Sequence, residues 1–149
     1  MAGSIGSFNA QGAMPNFSDL VAVTRALAPA ATSLVSAGTT DTISAAQIAS
    51  GMFVRSGVAT AVTATTDTAT NIIAAIPNAY VGQTFSLTYV NLNTGTGVVT
   101  VVAGAGVTAS GVLTIPIAGT RVFQGVVTNI TIPTVFLTSL YSIGAGVAA

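Results

Sequence analysis

Six side chains in this sequence carry a formal charge: Asp19, Arg25, Asp41, Arg55, Asp67 and Arg121. There is no Lys, Glu, His or Cys. Acid–base and nucleophilic catalysis need groups that titrate or attack, and those four types are the usual suppliers. Ser and Thr are plentiful, but a hydroxyl without a base is a weak nucleophile. Two of the three aspartates meeting in space would make an acid–base dyad; three solvated or helix-capping carboxylates are the plainer reading. A zinc site has neither imidazole nor thiolate to use. A calcium loop wants several carboxylates close in sequence, and here they are far apart. The chain is therefore not read as an enzyme, and no cofactor is expected.

Gly95-Thr96-Gly97 and Gly104-Ala105-Gly106 look like pieces of phosphate loops, but no helix and no Lys follow them. They read as hairpin turns. Three arginines are too few for the basic patch that nucleic acid requires. Tyr80, Tyr89 and Tyr141 have faces on which sugars or bases stack, yet a tyrosine alternating in a strand belongs more often to a core. Arg55 and Arg121 are read as holding a carboxylate or carbonyl at a subunit contact.

Charged residues make up 4% of the 149 residues, against roughly 25% in ordinary globular domains. The formal net charge is zero, which removes the self-repulsion that keeps proteins apart in solution. The surface must then be built from Thr, Ser, Asn, Gln and apolar atoms. Burial of that surface against other subunits is preferred to a low-charge extracellular coat. Mean hydropathy is +0.82, but Thr, Ser, Asn and Gly interrupt every stretch that approaches the length of a spanning helix. The strands are too short for a membrane barrel. Residues 1–6 have neither a basic nor a long apolar region, so no secretory signal is read and synthesis in a host cytoplasm is expected.

The elements that must position these groups are mostly strands. In 84–90, Phe85, Leu87 and Tyr89 point one way and Thr84, Ser86 and Thr88 the other, the period of a half-buried strand. Strands follow at 98–102, 112–117, 121–128 and 134–141, cut by Gly, Asn and Pro. Pro116 suggests an edge strand. The last strand is apolar on both faces, with Val135 and Leu137 on one and Phe136 and Leu140 on the other; such a strand is central or covered by a partner. Ser44 and Gln47 fit a capping box, and Gly51 a left-handed stop, around a helix at 45–50. A strand at 52–55, an extended segment at 58–66 and a helix at 68–76, capped by Asp67 or Thr70 and stopped by Pro77, come next. Helical spacing at 17–31 is weak. The expected fold is all-β with minor α: a β-sandwich or jelly-roll-like domain at 39–149, with one or two short helices, and an extended N-terminal arm at 1–38. Ile5, Phe8, Met14 and Phe17 of the arm, with Arg55, Arg121 and Phe136, are the candidate partner-interface residues.

Several runs resemble a pattern common in tailed-phage virion proteins. They are residues 43–51 with Phe53-Val54-Arg55, the helix 72–76, Val81-Gly82-Gln83-Thr84-Phe85, Val90-Asn91, 103–107, Ser110-Gly111, Arg121-Val122-Phe123, 127–130 and Leu140-Tyr141. The resemblance covers roughly 39–143 and implies a small β-rich structural protein of the head or tail. On that basis the expected role is a capsid decoration or cement protein on the outer capsid surface of the virion. Its expected partners are the major capsid protein and further copies of itself, as a trimer or dimer, with no nucleic acid and no membrane. A tail, fibre or glycan-binding spike component is the alternative, and a subunit of a cellular surface filament the third.

Overall fold

The structure is a computed structural model that describes residues 32–35, 37–57 and 60–143, with side chains described from 37 to 57 and from 60 to 140. Its strands are β1 (Thr32–Val35), β2 (Thr40–Ile43), β3 (Met52–Ser56), β4 (Val62–Thr66), β5 (Thr84–Leu92), β6 (Val99–Val102), β7 (Val107–Ser110), β8 (Thr114–Ile115), β9 (Gly119–Asn129) and β10 (Thr134–Ile143). Helix α1 (Ala45–Ser50) lies between β2 and β3, and α2 (Ala69–Ala75) between β4 and β5. One sheet has the order β1-β3-β5-β9-β10-β7 and the other β2-β4-β6-β8.

Up to β9 the chain alternates between the two sheets, strand by strand. From β3 to β6 each new strand lies parallel to the one two places earlier; β7 instead pairs with β10, and β8 lies antiparallel to β6. Thr32 sits opposite Phe53, and Phe53 opposite Tyr89, in the larger sheet. Thr40 sits opposite Thr63, and Thr63 opposite Thr100, in the smaller. Parallel neighbours need a long crossover, and here the crossover is a strand of the facing sheet. Antiparallel β9 then closes the larger sheet between β5 and β10. The architecture is β-rich with minor α, as expected. Its sheets are mixed, however, whereas a jelly roll is built from antiparallel pairs.

This winding corrects the reading of the glycine turns. The Gly95–Gly97 turn joins β5 to β6 and the Gly104–Gly106 turn joins β6 to β7, so both cross between sheets and neither is a hairpin. At Gly104 an added Cβ would run into the carbonyl oxygens of Thr66 and Asp67. The backbone passes there at a separation only glycine allows. The sequence reading also missed β7, whose Val-Thr-Ala-Ser run has little apolar contrast, and overextended the strand around β8, which is two residues long and forms an edge.

The inner faces of both sheets and the apolar sides of both helices share one core. Ile43, Val62, Ala64, Val99, Val101 and Ile115 enter it from the small sheet, and Phe53, Leu87, Tyr89, Phe123, Val127, Val135 and Leu137 from the large one. Phe53 and Tyr89 pack edge to face with ring centroids 4.9 Å apart. Helices this short are marginal alone; burial of Ala45, Ile48, Ala69 and Ile72 holds them.

Local chemistry sets the helix ends. Ser44 Oγ accepts from the Gln47 N–H while Gln47 Oε1 accepts from the Ser44 N–H, and Gly51 ends α1 at φ 80°. Thr68 caps α2, in place of the expected Asp67 or Thr70. Asp67 does something else: its carboxylate accepts from the Ala45 N–H at the start of α1 and from the Thr68 N–H and Asn71 Nδ2 at the start of α2. One carboxylate thus fastens two helix N-termini together. Those bonds, led by the one from Asn71, hold its pKa below the ordinary value.

Candidate functional site

The outer face of the six-stranded sheet is the candidate interaction surface. Pairing registers put Thr84, Val126, Phe136 and Thr108 in one row across β5, β9, β10 and β7. The next row is Ser86, Gln124, Thr138 and Ser110; further along lie Met52, Thr88 and Val122, then Val54, Val90 and Thr120. No charge occurs in these rows. None of these side chains is buried, and Phe136 and Leu140 keep 36% and 58% of their surface in solvent. Met52 and Leu92 add to the patch at their ends of β3 and β5. Both helices turn their buried sides into the core, so neither covers this face. Of the expected interface residues, Phe136 lies here.

The other outer face is chemically different. Thr40, Thr63, Thr100 and Thr114 form one row across all four strands of the small sheet, and Thr42, Thr65 and Val102 form the next. Cross-strand threonine pairs stabilise a sheet without charge. Hydroxyls here do what Lys and Glu do on most solvated sheets.

Arg55 is fully buried, and its partners belong to its own chain. Its Nε donates to Asp41 Oδ2, one Nη to Asn93 Oδ1 at 2.7 Å and the other to the Gly38 carbonyl at 2.7 Å. Asn91 extends the network: its Nδ2 reaches the carbonyls of Gly97, Ile115 and Pro116, and its Oδ1 accepts from the Asn93 N–H. The network ties β2 and β8 of the small sheet to β3 and β5 of the large one. Arg55 does hold a carboxylate and a carbonyl, and both belong to its own chain. The sequence reading passed over Asn91 and Asn93, although the period of two running through Phe85, Leu87 and Tyr89 continues to both.

Arg121 also lies inside, with 6% of its surface exposed. It stands directly opposite Tyr89 in the β5–β9 ladder. Its Nε and the Tyr89 hydroxyl are both buried without a hydrogen-bond partner among the described residues. Burial lowers the Arg121 pKa and raises that of Tyr89, the latter modified by the nearby charges of Arg55 and Asp41. Ile5, Phe8, Met14 and Phe17, like Asp19 and the segment 17–31, lie outside the described residues. β1, within the stretch expected to be an arm, pairs with β3.

Among the described residues no helix is long and apolar enough to cross a membrane. Comparison of the chain with protein-family models, with curated proteins and with solved structures finds no match.

Proposed function

We propose that the protein is a structural component of a tailed-phage virion, a decoration or cement protein on the outer surface of the head. It would bind the major capsid protein and other copies of itself through the outer face of the six-stranded sheet. The observation that carries this reading is that face: broad, free of charge, apolar at Met52, Leu92, Phe136 and Leu140, and uncovered among the described residues. The resemblance of residues 39–143 to virion proteins supports it. Binding the assembled lattice and not the free capsid subunit favours the assembled state by mass action. Apolar contact supplies the attraction, at about 25 cal/mol per Å² of apolar surface removed from water.

Particles reconstituted with the wild-type chain, with Phe136→Asp and with Leu140→Asp test the reading. Density for the wild-type protein is expected on the head exterior, with occupancy unchanged between low and high salt because few charges exist to screen. The two variants should fold normally and lose their place on the particle. Full occupancy by both, or a wild-type chain that stays monomeric at high concentration and ignores capsids, would overturn it. Intact heads that lose adsorption when the protein is missing would move the role to the tail or spike.

A further inference from the structure

We propose that β7 is a docking edge for a second copy of this chain, the two β7 strands pairing antiparallel across a twofold axis at Ala109. This does not rest on the virion reading. β7 ends the six-stranded sheet and pairs on one side only, with β10. The Val135 N–H donates to the Gly106 carbonyl, and the parallel register carries that ladder on through Thr108 and Ser110. Backbone groups of successive residues in a strand point to opposite edges, so Val107 and Ala109 turn theirs outward. The Val107 N–H is taken by the Gly104 carbonyl. The Val107 carbonyl and both backbone groups of Ala109 meet no partner among the described residues. A row of unpaired N–H and C=O groups is a template for another strand.

The two edges of the small sheet carry devices that keep foreign strands away. β8 is two residues long and runs straight into Pro116. β2 holds the charge of Asp41, turned inward to Arg55. β7 has neither: it reads Val-Thr-Ala-Ser between Gly106 and Gly111, and no charged residue lies between Asp67 and Arg121. A formal net charge of zero leaves two copies little repulsion to overcome on approach. Twofold symmetry lets the strand serve as its own partner. Ala109 opposite Ala109 exchanges two N–H···O bonds, and Thr108 falls opposite Ser110 of the second copy. Both side chains are exposed, and facing hydroxyls make a favourable cross-strand pair. The axis stands perpendicular to the sheet, so the outer faces of the two copies, with Phe136 beside Thr108, become one continuous surface.

Amide hydrogen exchange followed by NMR across a concentration series of the full chain tests this. The Ala109 N–H is expected to exchange about tenfold or more slowly once the paired form dominates, while those of Thr108 and Ser110, already bonded to β10, change far less. Ala109→Pro deletes the outward N–H without touching the β10 ladder, the kind of proline an edge strand accepts. Sedimentation equilibrium should find that variant dissociated at concentrations where the wild-type chain pairs, with its circular dichroism unchanged. Should it fail to fold, Thr108→Lys places a charge on the edge through an exposed side chain and should cause the same loss. An Ala109 N–H equally open at every concentration, or association at wild-type strength in both variants, overturns the proposal. So does protection that appears only when capsid protein is added, which would give the edge to that partner.

Discussion

Replacing Arg55 by Met should be among the most damaging single changes this chain can suffer outside its apolar core. Methionine fills much of the same volume but removes donors to Asp41, Asn93 and the Gly38 carbonyl at once. The Asp41 side chain is only 9% exposed, so its charge then sits in the interior without the arginine that offsets it. Taking one member from a buried ion pair costs about 3–5 kcal/mol. Domains are stable by about 5–15 kcal/mol, so the variant should lose a large share of its margin. Urea unfolding followed by far-UV circular dichroism measures this, with the midpoint falling and the slope unchanged. The double variant Asp41→Leu/Arg55→Met removes both charges and should recover to within about 2 kcal/mol of wild type, because buried pairs replaced by apolar groups are often neutral. The non-additivity is the diagnostic quantity. A loss below about 1 kcal/mol for Arg55→Met, or a double variant as unstable as the two losses summed, refutes the claim that this pair acts as one unit between the sheets.

Asp67→Asn should destabilise by about 1–3 kcal/mol near neutrality, since bonds to a charged acceptor are the stronger kind. The Asp67 pKa is depressed in the folded state, so its contribution is present above the unfolded value of 3.8 and disappears as pH falls through the lower folded value. Acid unfolding curves should therefore show a shallower loss below pH 3.8 in the variant than in wild type. A Cβ at Gly125 would collide with the Phe85 ring. Gly125→Ala should cost about 1–3 kcal/mol in urea unfolding, and Phe85→Leu in the same chain should recover part of it. Gly104→Ala meets backbone oxygens that cannot step aside, and its thermal midpoint should fall further than that of Gly125→Ala.

Much of the local structure was legible because it is made by neighbours in sequence. The α1 cap is a three-residue contact between Ser44 and Gln47, and Gly51 needs only its own backbone freedom. In β5 the alternation of Phe85, Leu87 and Tyr89 marks the buried face because successive side chains must point to opposite sides. Absent signals explain the misses. β7 carries small residues without contrast, and Thr68 won the α2 cap while Asp67 was drawn toward Ala45, a residue 22 positions earlier. Arg55 and Arg121 read as holding a carboxylate or carbonyl at a subunit contact, since arginine is rarely buried within a chain unless paired. Their burial depends on which residues stand across from them.

Composition alone determined that this chain has almost no titratable chemistry and that its strands must show uncharged surfaces, since those properties follow from residue types whatever the fold. It also determined the strand-rich class, through periods of two and turn residues. Tertiary structure decided the rest: that strands alternate between sheets, that the glycine turns are crossings, that Asp41 meets Arg55, and that Arg121 stands beside Tyr89. Each of these joins residues far apart in the chain. A pairing of that kind is selected by the packing of the whole core, and no local window of sequence contains it.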